Sequence, residues 1–208
     1  YSFPNGLYRS EDDISKLLSL LLKKIAVIDG CEKQMMEILI YSATNQKLFV
    51  DILGAFSNTL TDSSQLDKIC TTYIKVAQTV TNRQRTDFEQ MLLEVPEASS
   101  VAARLFAYRI IASGKMEEGF WQFYNSHYNR MKANDNFDLS PIILACLNAI
   151  DSKNKIRVAT DILCNVDSSL VKNEKIVRML IDIVNDCSVK VLVKMEGKTL
   201  QTIYKIRS

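Results

Sequence analysis

The stretch Gly114-Lys115-Met116-Glu117-Glu118-Gly119-Phe120 decides the fold class predicted for this chain. It joins two segments whose apolar residues recur at helical spacing, so that a glycine ends one helix and two carboxylates begin the next. Adjacent residues diverge by about 100° around a helix. We therefore interpret Glu117 and Glu118 as first-turn charges that face the helix dipole, and not as paired catalytic carboxylates. Similar units of helix, polar turn and helix recur on both sides.

The composition favours long helices. The chain has 208 residues, of which 47% are hydrophobic, while only 6 Gly and 3 Pro punctuate it. Few turns and long elements are typical of an all-α protein. The net charge of +2 is too small to identify a nucleic-acid binder by itself.

The periodic segments predict an N-terminal helix over 10–29, followed by helix pairs. The polar breaks inside successive pairs fall near Gln46, Arg83, Gly114 and Asn154, with spacings of 37, 31 and 40 residues. A two-helix unit cannot bury its apolar face alone, so neighbouring units must stack. The sequence thus predicts one domain over 1–208. This domain would be a solenoid of antiparallel helix pairs with a period of about 33–40 residues. The alternative is an irregular helical bundle. The predicted pairs are 32–60, 63–95, 99–131, 140–167 and 173–195.

Local signals place the ends of these helices. Pro96 should end a helix because its ring cannot continue the hydrogen-bond ladder. Ser99 or Ser100 should cap the next helix, and Ser140 should cap another with Pro141 at its first position. Residues 132–138 are predicted to form a polar loop, and Asn173 to cap the helix after it. The segment 189–193 fits a helix or a strand, and we interpret it as a helix.

The segment from Leu105 to Asn125, which contains Gly-Lys-Met-Glu-Glu-Gly and then Phe123, resembles a pentatricopeptide repeat. The segment 141–166 resembles the next repeat, and 34–57 and 66–94 are fainter matches. The resemblance implies a right-handed superhelix that binds single-stranded RNA in an organelle, in the mitochondrial matrix, for transcript stability, processing or translation. The family's usual base-reading position falls at Leu105 and Ala145, neither of which can hydrogen-bond a base edge. We therefore do not expect each repeat to recognise one base of the RNA.

The charge distribution suggests where RNA would bind. Residues 151–208 hold 11 Lys/Arg against 7 Asp/Glu, whereas residues 1–150 hold 15 against 17. Lys172, Lys175 and Arg178 follow one another at i, i+3 and i+6, and they are predicted to contact phosphates. The alternative interpretation of these three residues is an ordinary solvated face.

No pattern in the sequence predicts an enzyme, a cofactor or a metal. A Gly-rich phosphate loop, an H-E-x-x-H motif and a nucleophile elbow are all missing. His127 is the one histidine of the chain and is predicted to lie at the surface. The cysteines lack ligand spacing and are interpreted as buried thiols of a reducing compartment, which would be the cytoplasm or nucleus if not an organelle. They are Cys31, Cys70, Cys146, Cys164 and Cys187.

Three further expectations concern the aromatic residues, the membrane and the partners. The densest aromatic group is predicted to form core and not a base-stacking surface; its members are Phe120, Trp121, Phe123, Tyr124 and Tyr128. No apolar run is long enough to cross a membrane, and the start at Tyr1 without Met suggests a processed chain or a fragment.

The alternatives to RNA binding are a tetratricopeptide-like or HEAT-like solenoid that binds a protein, and a structural subunit of a larger assembly.

Overall fold

The computed structural model describes residues 19–25, 28 and 30–185. Every regular element in these ranges is helical and none is a strand, so the predicted all-α class is confirmed. The predicted helix start at Ser10, the segment 189–193 and Cys187 lie outside the described residues. The α-helices are α1 (19–25), α2 (Glu32–Ser42), α3 (Gln46–Ala55), α4 (Ser57–Thr61), α5 (Ser63–Val76), α6 (Asn82–Glu94), α7 (Ser99–Ala112), α8 (Met116–Ala133), α9 (Ser140–Ala149), α10 (Ser152–Asn165) and α11 (Glu174–Asn185). Short 3-10 helices span Pro96–Ala98 and Ser168–Leu170.

The chain forms two compact units, Tyr1–Met91 and Leu92–Ser208. The division falls inside α6, and thus inside the predicted pair 63–95. All four predicted breaks lie at or beside a helix end: Gln46, Arg83 and Asn154 belong to the first turns of α3, α6 and α10, and Gly114 belongs to the turn between α7 and α8. The single domain and the superhelix stay predictions.

In the first unit, α2 packs against α3 and α5, and α4 packs against α5. The rings of Phe49, Tyr73 and Phe88 are buried, and Phe88 lies 6.1 Å from Phe49 and 5.5 Å from Tyr73. The hydroxyl of Tyr73 donates a 2.7 Å hydrogen bond to Glu89 Oε1. Glu89 is 8% exposed, so this bond helps to offset the cost of burying its polar side chain.

The helix boundaries in the first unit differ in detail from the predicted ones. Asn45 caps α3 by accepting from the Leu48 N–H at 3.0 Å. The predicted polar break at 81–84 is largely the first turn of α6. Thr81 Oγ1 accepts from the Gln84 N–H, and Gln84 Oε1 accepts from the Thr81 N–H at 3.0 Å. This reciprocal capping box satisfies donors that would otherwise be left unpaired at a helix start.

In the second unit, α7 and α8 form a hairpin around Gly114, whose φ of +69° is a left-handed conformation that glycine adopts without strain. The helix α9 packs against both α7 and α8, and α11 packs against both α9 and α10. The first helix of one pair therefore contacts both helices of the pair before it. This relation occurs twice within the unit.

The structure corrects two predictions around α7. Neither Ser99 nor Ser100 is an N-cap, because a 3-10 turn leads directly into α7 and Ser99 Oγ instead donates to the Pro96 carbonyl at 2.8 Å. The predicted loop at 132–138 is confirmed from 134 onward, but residues 132 and 133 belong to α8 and the loop is partly buried. Asn134 is 4% exposed, and its Nδ2 donates to the Leu93 carbonyl at 2.8 Å and to Ser99 Oγ at 3.2 Å.

Candidate nucleic-acid interface

The three predicted phosphate-binding residues lie at the start of α11. Asn173 caps this helix as predicted, since its Oδ1 accepts from the Lys175 N–H at 3.1 Å. Ile176, Leu180 and Val184 are buried on one side of α11. Lys175 and Arg178 project from the other side and are exposed, as is Lys172 in the segment before the helix. We call these three residues the basic stripe.

The backbone that carries the basic stripe is fixed by a segment more than thirty residues earlier. Asp138 Oδ1 accepts from the Lys172 N–H at 3.1 Å and from the Ser140 N–H at 2.9 Å. Ser140 is itself buried, and its Oγ accepts from the Asn173 N–H at 3.2 Å. The Leu139 N–H donates to the Leu170 carbonyl at 2.8 Å. The starts of α9 and α11 are thereby locked to each other.

These bonds correct the predicted role of Ser140. It occupies the first turn of α9, and Leu139 holds the N-cap position without a side-chain cap. The Ser140 hydroxyl serves the start of α11 and not the start of its own helix. The sequence Asp138-Leu139-Ser140-Pro141 signals a helix start, but a partner 33 residues away leaves no local signal.

The basic stripe is only weakly paired in the part of the chain that the structure describes. Among the described residues, no carboxylate forms an ion pair with Lys172 or Lys175 within 4 Å. Arg178 Nη2 lies 3.5 Å from Glu174 Oε2, and these side chains are 78% and 87% exposed. An exposed pair of this kind contributes little because water and salt screen it. A phosphate could therefore displace Glu174 at low cost.

Some other cations of the second unit are held by carboxylates, Lys132 and Arg157 among them. Lys132 Nζ lies 2.6 Å from Asp167 Oδ2, and Tyr128 donates to the same oxygen at 3.0 Å. Asp167 also accepts from the backbone and hydroxyl of Ser169. The bond from Lys132, followed by those from Ser169 and Tyr128, lowers the pKa of Asp167 below its ordinary value. The bond to Asp167 raises the pKa of Lys132, so this cation is engaged within the protein.

A second pair joins α8 to α10. Glu117 and Glu118 lie in the first turn of α8, as predicted. Glu117 additionally accepts from both terminal nitrogens of Arg157, at 2.6 and 2.5 Å. This bidentate bond lowers the pKa of the Glu117 carboxyl. Arg157 therefore serves the protein's own packing, a role that sequence reasoning missed because the partner lies 40 residues away.

The aromatic group on α8 is largely core, as predicted. Phe120, Phe123 and Tyr124 are buried, while Trp121 and Tyr128 are half-buried. The hydroxyl of Tyr124 accepts from the Asp167 N–H at 2.9 Å, which joins α8 to the segment after α10. The buried rings of Phe120 and Phe123 are therefore not exposed for base stacking.

The structure also shows the burial of His127, Leu105 and Ala145. His127 is not a plain surface residue: it is half-buried, with its ring 5.1 Å from Phe123 and 6.0 Å from Phe106. Leu105 is fully buried and Ala145 is half-buried. Neither side chain has a polar atom with which to read a base.

No disulfide joins the cysteines in the part of the chain that the structure describes. Cys70 and Cys146 are buried, as predicted, and burial raises the pKa of Cys146 to about 12. The prediction is wrong for Cys164, which is exposed on α10, and Cys31 is half-buried. No group of three or more metal-ligating side chains occurs among the described residues. None of the described helices combines the length and apolar character that a membrane span requires.

Comparison of the chain with protein-family models, with curated proteins and with solved structures finds no match. The functional interpretation therefore depends on the residues themselves.

Proposed function

We propose that this protein binds single-stranded RNA through the basic stripe and acts by holding the RNA, without catalysis. The observation that carries the proposal is the exposure of Lys172, Lys175 and Arg178 on a backbone fixed by Asp138 and Ser140. Exposed cations on a fixed backbone, with no strong carboxylate partner among the described residues, suit phosphate contacts. Neighbouring cations such as Lys132 are engaged by carboxylates and are less suited.

The packing of the second unit supports the stacked-pair architecture that the proposal assumes. Both α9 and α11 contact the two helices of the preceding pair, which is how helical repeats bury their apolar faces. A solenoid of such pairs, similar to pentatricopeptide repeats, would present a long surface to an extended strand. The organellar location, in the mitochondrial matrix, belongs to the same proposal and depends on that resemblance.

The proposed binding does not discriminate between base sequences. The basic stripe offers charge to the phosphates, which are the same in every RNA. Leu105 and Ala145 have no polar side-chain atoms, so they supply no hydrogen bond to a base. Different RNA sequences should therefore bind with similar affinity.

The test is a salt titration of RNA binding. Fluorescence anisotropy of a labelled single-stranded RNA gives the affinity of the wild-type protein and of the variant in which Lys172, Lys175 and Arg178 are all changed to Ala. Each phosphate contact with a single strand contributes about 0.7 to the slope of log K against log salt, so the loss of three contacts should flatten the slope by roughly 2.

The matched control changes Lys33, Lys47 and Arg83 to Ala in the first unit, where all three side chains are exposed. Both triple variants lose the same charge, so an equal loss of affinity would indicate a net-charge effect and would contradict a local site. Absence of RNA binding by the folded wild-type protein at low salt would refute the proposal.

A partner-binding scaffold is the second candidate function. Ile111 at the end of α7 and Leu144 on α9 are large apolar residues that are 41% and 36% exposed. Exposed apolar side chains of this size offer surface that a protein partner can cover. If RNA does not bind, this candidate becomes the preferred one, and changing both residues to Ser should weaken the capture of a partner.

A further inference from the structure

A groove between α7 and α8 has the features of a nucleotide site. Its cavity of about 300 Å³ is at the lower end of the range for ligand pockets. The two helices meet at Gly119, where an added Cβ would lie 3.4 Å from Ile110 Cγ2, an ordinary van der Waals distance. The groove belongs wholly to the second unit, and none of its lining residues belongs to the basic stripe.

The floor of the groove is aromatic. The ring of Phe106 lies 4.6 Å from that of Phe123, and both contact the imidazole of His127. Phe106 and Phe123 are buried, whereas His127 is half-buried and lines the groove. The two phenylalanines thus support His127 from within. A ring that is held in this way can stack on a nucleobase with little loss of side-chain entropy.

The rim of the groove is polar and carries more positive than negative charge. Arg109 and Lys115 are exposed cations, and Glu118 is the carboxylate among the lining residues. Lys115 Nζ lies 3.1 Å from Glu118 Oε2, but the two side chains are 69% and 68% exposed, so this pair is weak. Gln122 adds an amide that can both donate and accept hydrogen bonds.

These features together define one class of ligand. A simple anion would have no use for the aromatic floor, and a purely apolar ligand would leave the polar rim without partners. A nucleobase combines a flat face with hydrogen-bonding edges, and its phosphate would be attracted to Arg109 and Lys115.

We propose that the groove between α7 and α8 binds a nucleoside 5′-phosphate, with the base on His127 and the phosphate at Arg109 and Lys115. The ligand is either a free mononucleotide or one nucleotide of a bound strand. The second form rests on the proposed RNA-binding function, and the first does not.

Two matched variants of α8 test the site. Gln122→Trp places a large side chain over the groove, and Asn129→Trp makes the same change at an exposed position of α8 that does not line it. Calorimetric titration with AMP, CMP, GMP, UMP and inorganic phosphate measures binding to each protein. We expect at least one mononucleotide to bind, and Gln122→Trp to weaken it at least tenfold while Asn129→Trp has no effect.

A third variant tests the stacking platform. His127→Ala should also weaken mononucleotide binding at least tenfold, and circular dichroism checks that the helices remain formed. Inorganic phosphate should bind more weakly than the mononucleotides, because it cannot use the ring. Equal binding of phosphate and mononucleotides, unaffected by His127→Ala, would overturn the proposal.

RNA titrations of the same variants separate the two sources of the ligand. If Gln122→Trp lowers RNA affinity and Asn129→Trp does not, a nucleotide of the strand occupies the groove. If mononucleotide binding is blocked while RNA affinity is unchanged, the ligand is a free nucleotide. If no mononucleotide binds and the two variants bind RNA equally, the groove proposal fails, whereas the RNA proposal fails only if the wild-type protein binds no RNA.

Discussion

Asn134→Ala should destabilise the second unit by about 2–4 kcal/mol, although Asn134 lies in a segment that reads as a polar loop. Asn134 is 4% exposed, and its side chain takes part in three hydrogen bonds of 2.8–3.2 Å. Its Nδ2 donates to the Leu93 carbonyl at 2.8 Å and to Ser99 Oγ at 3.2 Å, and its Oδ1 accepts from the Asn136 N–H at 3.1 Å. Alanine would remove all three bonds.

The magnitude follows from what the partners lose. A hydrogen bond contributes about 1 kcal/mol net, and a buried group left without a partner costs about 1–3 kcal/mol more. Ser99 keeps its bond to the Pro96 carbonyl, whereas the Leu93 carbonyl at the end of α6 loses the amide of Asn134. The total of about 2–4 kcal/mol therefore comes mainly from the bonds to Leu93 and Asn136.

Urea unfolding followed by tryptophan fluorescence is the assay. The chain has 1 Trp, and Trp121 lies in α8 of the second unit, so its emission reports on that unit. The matched control is Asn136→Ala, because the Asn136 side chain is exposed and only its backbone N–H bonds to Asn134. The control should change stability by no more than about 0.5 kcal/mol.

A comparable, small effect of both substitutions would refute the reasoning. It would mean that the Asn134 bonds do not hold the segment between α8 and α9 to the end of α6 and the start of α7. An equally large effect of both would also refute it, since the cost would then not come from the Asn134 side chain.

Three further substitutions have defined outcomes. Gly119→Ala should stabilise the second unit by about 0.5–1 kcal/mol in the same urea assay, because alanine is the better helix former. Its Cβ would meet Ile110 Cγ2 at 3.4 Å, an ordinary contact distance. A loss of stability would show that the hairpin has no room for a methyl group. Thr81→Ala should lower the free energy of unfolding by about 1 kcal/mol, measured by circular dichroism in urea, because it removes the capping box with Gln84. An unchanged midpoint of urea unfolding would argue against that cap. Asp167→Asn should lower the melting temperature at pH 7. The difference from wild type should shrink as the pH falls below the ordinary carboxyl value of 3.8, because a lowered pKa stabilises the fold above that value and the stabilisation is lost as the group protonates; a difference that is independent of pH would exclude this origin.

The site was predictable only where its signals are local. The exposure of Lys175 and Arg178 follows from apolar spacing, since Ile176, Leu180 and Val184 define the opposite side of α11, whereas Lys172 precedes the helix. The Asn173 cap is likewise a short-range pattern. The bonds from Asp138 and Ser140 that fix this segment cross more than thirty residues, and no periodicity in the sequence encodes them.

By itself the sequence determined the helical class and the approximate ends of the helices, because these depend on apolar spacing, glycines and capping residues within a few positions of each other. Only the tertiary structure decided which polar groups are consumed inside the protein. Arg157 and Lys132 look in the sequence like Lys175, yet carboxylates of neighbouring elements engage the first two. Likewise, Ser140 and Asn134 look like loop or cap residues until the packing of the helix pairs brings their distant partners within hydrogen-bond distance. The physical reason is that burial and ion pairing depend on which elements meet in space, whereas helix formation depends mainly on residues close in the chain.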